Sequence, residues 1–206
     1  PVTNSHLTPS LHGLNLANIV AFPGFIYRGD AMRSAKRLFF GISLPDDIKQ
    51  QIIQWRAEIF PAEAGYPVAA DALYLTLAYL GEISDEKARA LMQLAGRIQQ
   101  PGFTLELNDA GHWPRSGMVW LGPHHAPRGL LQLADILRSQ AARSGCYQTP
   151  HPFHPHVTLL RQATQPVKLP ARNFCWSLPV ARFVLFQSHF SRGQTRIKEV
   201  QSWALQ

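Results

Sequence analysis

His154-Pro155-His156-Val157-Thr158-Leu159-Leu160-Arg161 reads as a short strand entered through proline, with Pro152 just upstream. Neither proline suits a central ladder, so the regular strand is expected to begin at His156. Alternation then puts His156, Thr158 and Leu160 on one face and Val157 and Leu159 on the other. The first face carries an imidazole and a hydroxyl two residues apart; the second is core. Leu73-Tyr74-Leu75-Thr76-Leu77 has the same rhythm: a ring with a polar atom, an aliphatic residue, a threonine and a leucine. Two such segments predict two half-sites facing one cleft.

Around these stretches the periodicity alternates between strand and helix. Arg37–Leu44 is an apolar run ended by Pro45. Asp46 and Asp47 suit a helix start, and Ile48, Ile52, Trp55 and Ile59 carry helical spacing up to Pro61. A Gly65-Tyr66-Pro67 loop leads to the strand Leu73–Leu80, closed by Gly81. Ser84 caps a second helix whose buried face is Ala88, Leu91, Leu94, Ala95 and Ile98. Strands follow at Phe103–Leu107 and Met118–Leu121, and then a helix over Arg128–Arg143 that buries Leu130, Leu131, Ala134, Ile136 and Leu137, with Gly145 as its stop. After the His156 strand come a loop bearing Pro166, Pro170 and Pro179, the strand Phe183–Phe186, and a more polar strand over Arg196–Leu205. The order is β-α-β-α-β, then β-α-β-β-β. It predicts an α+β fold of two similar lobes, each an antiparallel sheet with helices outside, and a cleft between them.

The chain has 206 residues, 46 % apolar and 16 % charged, which places it among globular proteins rather than disordered or fibrous ones. A net charge of +7 favours an anionic partner, with nucleic acid first and solubility alone as the plainer account. Cys146 and Cys175 are the two cysteines, too few for a disulfide framework, so a reduced, cytoplasmic protein is expected. No apolar run reaches the roughly 18 residues that cross a membrane.

Residues 1–31 differ from the rest. They hold one basic residue (Arg28), one acidic residue (Asp30) and scattered prolines and glycines, and they lack the charged start of a secretory signal. They are expected to be a leader or vector-derived arm outside the fold, with residues 32–206 forming a single two-lobed domain. The alternative is a native arm packed on the surface.

A pair of His-x-Thr-x strands in a two-lobed α+β domain marks the 2H phosphoesterases. Arg37-Leu38-Phe39-Phe40 with Leu44-Pro45, the Leu73–Gly81 strand, the run Pro152–Arg161 and the closing Trp203-Ala204-Leu205 resemble the bacterial RNA 2′,3′-cyclic phosphodiesterase family, also named 2′-5′ RNA ligases. The resemblance covers nearly everything after Met32. It implies a metal-independent hydrolase with no cofactor, acting as a monomer on RNA ends or nucleoside 2′,3′-cyclic phosphates. The product would be a 2′-phosphate, with 2′-5′ joining as the reverse reaction. It makes His156 the proton acceptor and gives Thr76 and Thr158 the phosphate. Arg161 would be a further phosphate contact, although strict alternation from His156 puts it on the core face, so the strand must end or bulge before it. The sequence departs from the family at the first motif, which opens with Tyr74 where histidine is expected as proton donor. A phenol, with a pKa of about 10 against about 6.5 for imidazole, is the weaker acid. The expectation is therefore a weakened phosphodiesterase, with a catalytically silent nucleotide- or RNA-end-binding protein as the alternative.

Other signals carry less. His151, His154 and His156 have no carboxylate in their run and are broken by prolines, which argues against a metal triad. His154 is then a structural loop histidine, and His124-His125 a solvated loop. His112-Trp113-Pro114 reads as a surface turn, with the cleft mouth as the alternative. Phe39 and Phe40 alternate faces, so one of them is a candidate to stack on a base, with core packing as the default reading of both. Arg161, Lys168, Arg172, Arg182, Arg192, Arg196 and Lys198 are candidates for an RNA path or simply solvated charges.

Overall fold

The computed structural model describes residues 36–206; the expectation for residues 1–31 lies outside the described residues. The strands are β1 (Lys36–Ser43), β2 (Tyr66–Pro67), β3 (Tyr74–Gly81), β4 (Phe103–Leu107), β5 (Asp109–Trp113), β6 (Met118–Gly122), β7 (Val157–Arg161), β8 (Trp176–Val180), β9 (Arg182–Ser191) and β10 (Gln194–Ala204). The helices are α1 (Asp46–Ile59), α2 (Asp85–Ala95) and α3 (Arg128–Arg143).

Local chemistry sets the helix limits. Asp46 and Asp47 complement the partial positive charge at the start of α1. The Ser84 hydroxyl accepts from the Lys87 amide and caps α2, as its sequence predicts. Leu130, Leu133, Ala134, Leu137 and Ala141 form the buried stripe of α3, which lies against β3.

The strands pair antiparallel throughout. The main sheet runs β10-β9-β1-β3-β7-β6-β5, with β2 alongside β7, and β4 and β8 form a separate ribbon. The halves β10-β9-β1-β3 and β7-β6-β5 belong to one continuous sheet rather than two separate ones, and the closing strands β9 and β10, expected in the second half, lie beside β1 instead. The halves meet where β3 and β7 pair through Leu75 and Val157, both completely buried. Because those residues face the core, their neighbours in each strand face the opposite side. The lobes therefore join at the two motifs.

Three strands go beyond what the sequence predicts. β2 forms in the expected Gly65-Tyr66-Pro67 loop and pairs with β7. β5 takes the place of the turn expected at His112, and β8 forms within the proline-bearing loop. Pro179 is tolerated in β8 because the ribbon has two strands and thus an edge where a missing N–H costs no ladder bond.

Candidate active site

Continuing the Leu75–Val157 register by one residue either way sets Tyr74 across from Thr158 and Thr76 across from His156. The two sequence motifs thus lie on one face and diagonally opposed. Thr76 is half-buried, Thr158 is buried, and the Thr158 hydroxyl donates to Met118 Sδ at 3.5 Å.

His156 sits just before β7. Its Nδ1 lies 2.7 Å from the His154 carbonyl. A carbonyl can only accept, so this bond places the proton on Nδ1 and leaves Nε2 as the acceptor of the neutral ring. Burial lowers the pKa of His156. The carbonyl bond works the other way, while the nearby His154 and Arg161 add to the lowering. The ring is therefore neutral at pH 7 and suited to take a proton.

The surroundings of His156 come from β5 and β6. Trp113 meets the imidazole edge-on, with centroids 4.9 Å apart, and meets His154 at 5.1 Å. Trp120 contacts His154 at 4.6 Å and Trp113 at 5.4 Å. Trp120 pairs with Thr158 on one side and Gly111 on the other, so all three share the motif face. A Cβ at position 111 would lie 2.1 Å from the Trp120 ring, which is why a glycine stands there. The expected surface turn at His112-Trp113 is corrected accordingly. His112 is on β5, with Nε2 2.6 Å from the Ala163 carbonyl, and Trp113 is a wall of the cleft. Trp120 is a site residue that sequence reasoning missed, while the contact of Trp113 with His156 agrees with the cleft-mouth alternative for His112-Trp113-Pro114. Gly-His-Trp lacks the apolar alternation that marks a strand, and the Trp113-Pro114 pair was the one available hint.

Arg161 reaches the cleft through a bulge. Thr158 pairs with Trp120, yet Leu160 pairs with Val119, so β7 spends two residues where β6 spends one. Leu160 takes the core side with Val119, and Arg161 returns to the motif face. Its charge acts on both Tyr74 and His156. The bulge that the sequence left as a condition is present.

Tyr74 is 8 % exposed, packed with Phe39 (centroids 4.7 Å) and Phe186 (5.5 Å). Burial pushes its phenol up to about 12, only partly offset by Arg161. Phe39, 4 % exposed, also stacks on Phe186 at 5.1 Å. Phe40, 1 % exposed, lies against Phe183 and Trp203 on the other side of the sheet. Both rings pack in the core, the default reading of the sequence for them.

Among the described residues no three His, Cys, Asp or Glu side chains group as metal ligands. His154 is a loop residue whose carbonyl orients His156. Of the later basic residues, Arg182 pairs with Glu199 (3.1 and 3.2 Å) and Arg172 contacts His124. Among the described residues no helix is long and apolar enough to cross a membrane.

This architecture has known counterparts. The family model described as the 2′-5′ RNA ligase superfamily matches residues 44–201. The chain is 60 % identical over 174 residues to an Escherichia coli (strain K12) RNA 2′,3′-cyclic phosphodiesterase, covering 84 % of this chain and 99 % of that protein. It is 29 % identical to the protein of that name from Thermus thermophilus, covering 74 % of this chain and 81 % of that one. The crystal structure of E. coli LigT complexed with 3′-AMP superposes with a TM-score of 0.80 at 60 % identity, covering 84 % of this chain and 99 % of that one. With the domain matched over most of its length, the chain belongs to the 2′-5′ RNA ligase superfamily, the 2H phosphoesterases.

Proposed function

We propose that this protein is an RNA 2′,3′-cyclic phosphodiesterase that opens cyclic phosphate ends to 2′-phosphates. The carrying observation is the Leu75–Val157 register, which brings both motifs to one face, where a single phosphate can meet them both. The relatives that bear this activity in their names, and the E. coli structure with 3′-AMP, support the same reading.

In this reading His156 Nε2 takes a proton from water as the water attacks phosphorus. The P–O3′ bond breaks, and the departing O3′ takes a proton from the opposite wall, where Tyr74 stands. Thr76, Thr158 and Arg161 hold the non-bridging oxygens as negative charge builds on them. With the 5′-hydroxyl of a second RNA end in place of water, the same displacement joins the two ends: His156 takes the hydroxyl proton, the 5′-oxygen bonds to phosphorus, and O3′ departs protonated to leave a 2′-5′ bond. The protein acts as a monomer in the cytoplasm. Its two free cysteines suit a reducing compartment, and its net charge of +7 suits RNA.

The test is to incubate pure protein with EDTA and 2′,3′-cyclic AMP and to look for 2′-AMP. Turnover abolished by His156→Ala supports the reading; turnover that survives this change removes His156 from its role. The burial of Tyr74 and its raised pKa favour a second reading, a nucleotide- or RNA-end-binding protein without turnover. Binding of 2′-AMP with no product formed would select it.

A further inference from the structure

Gln162 follows Arg161 with a φ of 55°, in the left-handed region that a residue with a side chain seldom adopts. Among the described residues Arg192 shares this conformation, but in the turn of the β9–β10 hairpin, where Arg192 and Gly193 both take the positive φ that such turns require. Gln162 lies in no hairpin. A backbone held in this way costs free energy and persists where the surrounding structure fixes it.

Three neighbours fix it. The Ala163 amide donates to the Gly117 carbonyl at 2.8 Å, and an added Cβ on Gly117 would lie 3.2 Å from both the Gln162 Cα and the Ala163 nitrogen. On the β2 side, a Cβ at Gly65 would lie 2.7 Å from the Arg161 carbonyl. The third neighbour is His112, whose Nε2 lies 2.6 Å from the Ala163 carbonyl. The carbonyl accepts, so Nε2 carries the hydrogen. His112 is paired with the completely buried Val119, and directly opposed residues share a face. Its ring therefore stands on the core side of β5, behind Trp113, and reaches the cleft only through the backbone it holds.

Resting on the phosphate role given to Arg161 above, we propose that His112 is a positioning residue, which keeps Arg161 aimed at the phosphate by fixing the turn behind it. The bulge decides which face Arg161 takes. The left-handed turn decides how its peptide leaves the strand, toward Gly117 and the hairpin of β5 and β6. With the His112 bond gone, Gln162 is free to relax toward negative φ, and that relaxation redirects the peptide joined to Arg161.

The experiment measures inorganic phosphate binding by phosphorus NMR in the intact protein and in His112→Ala, His112→Leu and His112→Gln, with urea unfolding of each. His112→Leu keeps bulk on the core side and stands in should His112→Ala fail to fold. The expected result for Ala and Leu is a loss in phosphate affinity of about two- to tenfold, the effect of one hydrogen bond. His112→Gln, whose amide donates to the same carbonyl, keeps the parent's affinity. In an Arg161→Met background, His112→Ala makes no further difference. Unchanged affinity in a folded Ala or Leu variant overturns the proposal. So does a loss of the same size in the Arg161→Met background, which would show His112 acting on the cleft as a whole. If Arg161→Met binds phosphate as tightly as its parent, or the parent binds none, the phosphate reading itself fails, and this inference with it.

Discussion

Arg56 on α1 donates a hydrogen bond to the Leu159 carbonyl, 3.1 Å away, at the point where β7 takes in its extra residue. The same nitrogen donates to the Val68 carbonyl at 3.0 Å. A cation buried this deeply is retained for its bonds, and burial lowers its pKa. Without it the Val68 carbonyl loses its charged donor and the clamp on the bulge is gone. Arg56→Met is expected to cost about 2–3 kcal/mol in urea unfolding. The KM for a cyclic nucleotide should rise as well, because Arg161 depends on the bulge for its place. A fully stable Arg56→Met protein would show that the clamp is dispensable.

Tyr74 stands where a proton is needed by the departing oxygen, yet its phenol is held at about 12. A group that holds its proton so firmly donates it poorly, and general acid–base help is usually worth about 10²–10⁴-fold. Tyr74→His is therefore expected to raise turnover of 2′,3′-cyclic nucleotides by at least about tenfold. The readout is initial rate at saturating substrate. No gain would show that the phenol is an adequate donor in this setting.

The parts of this molecule readable from its sequence are those where one physical rule acts alone. The α3 limits agree with the Arg128–Arg143 expectation, but the stripe is shifted: Leu133 and Ala141 are buried, while the expected Leu131 and Ile136 are exposed. The two motifs are legible because the strand period puts Tyr74 with Thr76 and His156 with Thr158. Arg161 breaks that rule, since a bulge is an agreement between two strands and leaves no mark in one of them. Phe39 and Phe40 are ambiguous for a related reason. Alternation places them on opposite faces, but only the neighbours Phe186, Phe183 and Trp203 decide that both faces are filled. β5 escapes a sequence reading because it is held by its partner β6 and by a glycine under the Trp120 ring, not by its own apolar pattern.

Burial of Tyr74 also makes a stability prediction at high pH. The unfolded phenol loses its proton near about pH 10. The folded one holds it to about 12. Between those values the native state binds more protons than the unfolded state, so stability falls as pH rises. The contribution is full below the unfolded value and is lost as pH climbs through the native one. Tyr74→Phe keeps the ring against Phe39 and Phe186 and removes the titrating group. Its melting temperature is expected to fall less steeply above about pH 10 than that of the parent. Identical alkaline profiles would show that the phenol is not sealed from water.

His156 gives the opposite window. As the base it must be neutral, so activity rises as pH climbs through its pKa. Burial holds that pKa below the usual value of about 6.5. The acid limb of kcat/KM, which reports the free enzyme, is therefore expected below about pH 6.5. The same sign applies to stability. The unfolded ring protonates first as pH falls, so this contribution is present above about 6.5 and is lost as pH drops through the native value. Trp113 lies 4.9 Å from the imidazole and helps keep water from it. Trp113→Ala should therefore move the acid limb up toward the ordinary histidine range, while Tyr74→His supplies a background with turnover high enough to measure both limbs. An acid limb already at or above about 6.5 with Trp113 in place would mean that water reaches the ring and that burial does not tune this base.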